Sequence, residues 1–236
     1  MPRLNSINVS LGCAEIHGIR SDVAEALFSA PQVRDVHISL YLFCPRQSFS
    51  PDSLHDIPPL RSFQYTKNPR HLPPRAYPSE LEAITIVVNK LPASLEVLKL
   101  PSETTPLHDM SRLDWPRLHH LTLHGDTPTQ SPIPIIAIIC RMPRLCILTL
   151  ELVILPGMSR QCIWPPDWTV GDPLPQIEDL RVTHPHPNDL LYTRLPTSPV
   201  EVASSLCIRA ASNPVRVVNA TPHPPQAGGI PPPQVD

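Results

Sequence analysis

The chain has 236 residues, a net charge of −2 and 17% charged residues, which gives no electrostatic case for a nucleic-acid or anionic-membrane partner. Thirty-four prolines stand against seven glycines, so the proline content is not collagen-like. The opening M-P-R-L-N-S-I-N-V-S lacks the apolar core of a signal peptide, and the longest apolar run, residues 135–140, is far short of a membrane span.

In chain order, the first signal is the triplet Leu4-x-x-Ile7-x-Val9. Its last two residues are two apart and share one face of a strand, while a turn brings the first to the same interior. Residues 21–28 predict a short helix, with Ser21 or Asp22 as cap and Pro31 beyond its end. The triplet returns as Val33-x-x-Val36-x-Ile38 and Leu60-x-x-Phe63-x-Tyr65. Between and after these, residues 50–59 and 69–78 are proline-rich and predict loops. Leu81-x-x-Ile84-x-Ile86 and Leu95-x-x-Leu98-x-Leu100 follow, so close together that either one unit is stripped down or one match is false. Residues 106–113 predict a helical turn or two. Then comes W-P-R-L-H-H-L-T-L-H, with Leu118, Leu121 and Leu123 in the same spacing. Residues 135–141 predict a helix with Ser131 as candidate cap. The last triplets are Leu145-x-x-Leu148-x-Leu150 and Ile177-x-x-Leu180-x-Val182, separated by an insertion holding Trp164 and Trp168. Residues 188–194 predict a further short helix.

The steps between triplets fall in or near the period of leucine-rich repeats. The expected fold is therefore α/β: a curved leucine-rich-repeat-like solenoid of parallel strands with irregular convex helices and loops. It occupies residues 1–197, and residues 198–236 form a Pro/Ala-rich, largely disordered tail. The residue between the two closest apolar positions is polar in every triplet: Asn8, His37, Gln64, Thr85, Lys99, Thr122, Thr149 and Arg181. In a parallel strand with one buried side, this row faces outward. His37, Gln64, Thr85, Lys99, Thr122, Thr149 and Arg181 are therefore the candidate binding residues, for a protein target. The alternating charges Arg34-Asp35-His37 and Glu178-Asp179-Arg181 lie at strand ends and can add to partner selection.

Enzymatic chemistry finds no support. The chain has no G-x-G-x-x-G, no phosphate loop and no nucleophile elbow. His119, His120 and His124 do not converge on one point of a strand, and neither they nor His184-Pro185-His186 have a Cys or carboxylate at ligand spacing. No catalytic residue, metal or cofactor is expected. Cys13, Cys44, Cys140, Cys146, Cys162 and Cys207 include no C-x-x-C pair, which points to buried thiols in a reducing cytoplasmic or nuclear setting.

The strings S-L-E-V-L-K-L-P, W-P-R-L-H-H-L-T-L-H-G, R-M-P-R-L-C-I-L-T-L-E-L and L-P-Q-I-E-D-L-R-V-T-H-P-H-P resemble the leucine-rich-repeat portion of mushroom-type fungal F-box proteins. The resemblance covers residues 32–197. It implies a substrate-recognition module of a ubiquitin ligase adaptor, in which an F-box recruits Skp1 and the repeats hold a target. Residues 1–30 contain no L-P-x-E-L-type F-box opening, so Skp1 is not an expected partner of this chain. After Ser198 the leucine-rich pattern stops, as in a fragment or a shifted reading frame. The alternative expectation is a truncated or mis-predicted product with no independent function.

Overall fold

The computed structural model describes residues 5–10, 18–39, 42–44, 46–48, 57–67, 77–126, 133–153 and 175–182. Seven of the eight apolar triplets coincide with strands. In chain order the elements are β1 (Ser6–Ser10), β2 (Gly18–Ile19), α1 (Ser21–Phe28), β3 (Asp35–Ser39), β4 (Leu42–Phe43), β5 (Ser62–Thr66), α2 (Pro78–Lys90), β6 (Val97–Pro101), α3 (Leu107–Met110), β7 (His120–Asp126), α4 (Ile135–Ile139), β8 (Ile147–Val153) and β9 (Asp179–Val182). A single 3-10 turn, Ser102–Thr104, separates β6 from α3.

Seven strands form one parallel sheet in the order β1-β3-β5-β6-β7-β8-β9, while β2 and β4 pair in a small parallel sheet of their own. The register keeps Ile7, Val36, Phe63, Leu98, Leu121, Leu148 and Leu180 on one level across the sheet. Successive strand residues point to opposite faces. One face is therefore apolar throughout and packs into a single core with Ala24 and Phe28 of α1, Ala83, Ile84, Val87 and Val88 of α2, and the isoleucines of α4. The first triplet residues Val33, Leu60, Leu95, Leu118, Leu145 and Ile177 are all buried just ahead of their strands, as the turn argument requires. Each strand entry repeats one hydrogen-bond device. A carbonyl accepts the N–H groups of two successive residues on the next strand, as Glu96 does from His119 (3.0 Å) and His120 (3.2 Å). Both lone pairs of an otherwise orphaned carbonyl are thereby satisfied.

The expected leucine-rich-repeat solenoid is corrected. The described chain is one large parallel sheet with helices interleaved between its strands, not a string of repeating units. Repeat arrays rest on equivalent units, each packed only on its neighbours. Here the strand entries are alike but the connections are not. β2 and α1 lie between β1 and β3, β4 lies after β3, and the 13-residue α2 lies between β5 and β6. A 3-10 turn with a four-residue helix follows β6, and a five-residue helix follows β7.

The false triplet is Leu81-x-x-Ile84-x-Ile86, which lies inside α2. Pro78 sits at the start of that helix, Glu80 in its first turn and Lys90 in its last. These are the positions that favour helix entry, the positive and the negative dipole end. Its buried residues Glu80, Ala83, Ile84, Val87 and Val88 follow helical spacing. The α1 prediction is matched residue for residue, but its cap is not: Arg20 is the N-cap without a side-chain bond, and Asp22 accepts instead from the Val23 N–H at 3.0 Å. The expectations for Ser131, the Trp164–Trp168 insertion, His184 and His186, residues 188–194 and the tail lie outside the described residues.

Candidate binding face

The face opposite the core is built by the alternate residues of the same strands. Its middle row is Asn8, His37, Gln64, Lys99, Thr122, Thr149 and Arg181, each beside the next in register. Six of the seven expected binding residues thus stand in one line across the sheet. Thr85 does not: it is on α2, where its hydroxyl donates to the Leu81 carbonyl at 2.7 Å. The sequence pattern misplaced it because Ile84-Thr85-Ile86 alternates like a strand over three residues, while the helical spacing shows only over the longer window.

Two positions back, the same face carries Ser6, Asp35, Ser62, Val97, His120, Ile147 and Asp179. His124 and Glu151 continue it on β7 and β8. Of these, Ser62, His120 and His124 were missed as members of the face, although a period of two from the expected row reaches all three. Thr122 and Thr149 are only 5% and 6% exposed, so the middle of the row is recessed between longer side chains.

Charges on the face are mostly matched. Arg61, at the entry to β5, makes a two-pronged pair with Asp35 (3.1 and 2.8 Å). Arg181 pairs with Asp179 at 2.6 Å. Gln64 donates to the Ser62 hydroxyl at 3.1 Å, and Thr122 Oγ1 lies 3.2 Å from His120 Nε2. The ammonium of Lys99, at the centre of the row between Gln64 and Thr122, has no ion pair or hydrogen bond among the described residues. Its charge is felt by three imidazoles. Burial first, then Lys99, lowers the pKa of His37. Burial first, then His119, Arg181 and Lys99, lowers that of His120, against Asp179. Burial, Lys99 and Lys67 bring His124 down to about 4, against a weak approach of its ring to the Leu100 backbone, and neither of its buried ring nitrogens makes a well-formed hydrogen bond among the described residues. The centre of the face is thus one ammonium among neutral imidazoles.

At the carboxyl end of β5 and β6 a second polar group is sealed inside. Glu80 of α2 is fully buried. It accepts from the Tyr65 hydroxyl, from the Phe43 N–H (3.1 Å) and from Lys67 (2.7 Å). Burial and the Glu80 carboxylate push the Tyr65 pKa well above its usual value, so the phenol stays a donor. These bonds fasten α2 to β4 and β5. Nearby, Glu103 accepts from the Asp126 N–H at 3.0 Å, and burial raises its pKa. Gly125 sits beside that carboxylate at φ +100°, and a Cβ there would stand 2.6 Å from both carboxylate oxygens.

Among the described residues, no three His, Cys, Asp or Glu side chains stand close enough to share a metal ion. No described helix is long and apolar enough to cross a membrane. Comparison with family models, with curated proteins and with solved structures gives no match.

Proposed function

We propose that this chain is a non-catalytic protein-binding module that holds a protein target across the polar face of its sheet. The observation that carries this reading is the unbroken row from Asn8 to Arg181, seven strands wide, backed by a face that is wholly apolar and committed to the core. At the strand spacing of parallel sheets the row is about 29 Å long, which accommodates roughly nine residues of an extended peptide. The resemblance to mushroom-type fungal F-box proteins supplies the wider context: a target held in this way would be a candidate for ubiquitination. The raised thiol pKa values of Cys44, pushed to about 12 chiefly by burial, and of Cys146 mark both as unreactive thiols, and the lack of any C-x-x-C pair in the sequence is what favours a reducing intracellular setting.

The test is affinity capture with quantitative mass spectrometry, comparing the wild type with a Gln64→Ala/Thr149→Ala/Arg181→Ala variant. A target retained by the wild type and lost from the variant supports the face. A target set that the variant retains in full overturns it. Recovery of Skp1 in the same experiment would extend the role to ligase assembly.

A further inference from the structure

We propose that Lys99 anchors a carboxylate side chain of an acidic, extended segment of the protein target, received in the recess between Gln64 and Thr122. The inference rests on the binding reading above and adds the chemistry of the partner. Three observations carry it. First, the face holds four cations near its rows, and three of them are already engaged: Arg61 by Asp35, Arg181 by Asp179, and Arg34, at the entry to β3, by the Pro59 carbonyl at 3.3 Å. A guanidinium engaged by two carboxylate oxygens attracts a further anion weakly. Lys99 is matched by no carboxylate among the described residues and is the cation that stands in the middle row itself, between Gln64 and Thr122, so within that recess it is the site at which an incoming negative charge gains most.

Second, the groups around Lys99 can donate. Thr122 is its direct neighbour on β7 and Gln64 on β5. Among the described residues only one Gln64 amide N–H is used, toward Ser62. With neutral His120 carrying its proton on Nε2, the Thr122 hydroxyl accepts from that ring and has its own O–H to give. His124 lies two residues beyond Thr122 on the same side of β7, with its ring nitrogens buried and in no well-formed hydrogen bond among the described residues. An ammonium flanked by an amide and a hydroxyl is a carboxylate-binding arrangement. It contains no competing acceptor charge within the middle row.

Third, the chemistry disfavours the other anions. One unmatched cation in the middle row, on a chain of net charge −2, is too little to hold a nucleic-acid backbone, whose binding depends on several neutralised phosphates. A protein segment needs only one well-placed carboxylate, with its backbone and remaining side chains spread along the row. The net negative charge also means that any preference for an acidic peptide must come from the local site rather than the overall field.

The experiment uses the full chain and three synthetic decapeptides carrying a neutral dye: alternating Glu-Ser, Gln-Ser and Lys-Ser. Fluorescence anisotropy should show saturable binding of the Glu-Ser peptide, tighter than the Gln-Ser peptide by about fivefold and weakening as salt rises. Lys99→Gln should abolish that preference, while Lys99→Arg should retain most of it. Lys90→Gln removes the same charge from the exposed end of α2 and should change nothing. Equal affinity for the Glu-Ser and Gln-Ser peptides, or an unchanged preference in a folded Lys99→Gln chain, would overturn the inference. If the Gln64/Thr149/Arg181 variant still loses a cellular target in that case, the binding face stands and only the acidic preference falls. Thermal melts of each variant keep misfolding apart from loss of the site.

Discussion

Glu80 is the residue whose environment makes the strongest demand on its side chain. It is completely buried, and three donors converge on it. Truncation to Ala would leave the Lys67 ammonium, only 12% exposed, without its counter-charge, and the Phe43 N–H with one acceptor fewer. Breaking one side of a buried pair costs about 3 kcal/mol or more, and urea denaturation of Glu80→Ala should show a loss of that size. His124 sets a pH dependence. Its pKa in the fold is about 4, against 6.5 for the ordinary side chain. As pH falls through 6.5 the unfolded chain takes up a proton that the folded chain refuses, so stability is full above that value and declines toward 4. His37 and His120 act in the same direction. The raised carboxyls of Glu103 and Asp126 act in the opposite direction. Between about pH 7.5 and 5.5 the His124 contribution is on the order of 1 kcal/mol. Urea midpoints should fall over that window in the wild type and fall less in His124→Asn; an equal fall in both would show that the imidazole is not the group responsible.

At the scale of elements, α2 separates what local pattern can and cannot specify. The stretch L-E-A-I-T-I-V-V is rich in β-branched residues and alternates briefly, which mimics a strand. Over its full 13 residues the apolar positions close into one helical stripe, and burial of Ala83, Ile84, Val87 and Val88 against the sheet decides the outcome. The helix places Thr85 away from the binding row. Thr85→Ala should therefore leave target capture unchanged and alter stability by less than about 0.5 kcal/mol, as at a site without packed contacts. Loss of capture in that variant would return Thr85 to the face. The strands are simpler. Six of the triplets deliver a fully enclosed first residue and a one-sided strand, because each apolar pair has only one face to bury. The members of the binding row are legible in those triplets one by one. Their adjacency is not, because it depends on a register shared by strands far apart in sequence.

For the molecule as a whole, the core is one contiguous cluster running from Ile19 to Leu180. Its aromatic end holds Phe28, Phe43 and Phe63 edge to face, with centroids 5.7 to 6.3 Å apart. Its other end is aliphatic, with Leu148 and Leu150 enclosed. A single core predicts a single unfolding transition. Phe63→Ala and Leu148→Ala, on β5 and β8, should each destabilise that one transition by about 3 kcal/mol, as buried truncations do. Two separable transitions, each sensitive to one of the substitutions, would instead indicate stacked units that melt independently. Local pattern was enough to locate seven of the strands, the buried side of each and the polar residues that face away, because period-two burial is a local property of an extended chain. Packing across the sheet made α2 a helix, left the connections without a repeating unit, and set Lys99 without a carboxylate partner among the described residues beside three histidines. Those outcomes come from packing and from charges brought together across strands, and no spacing within one segment encodes them.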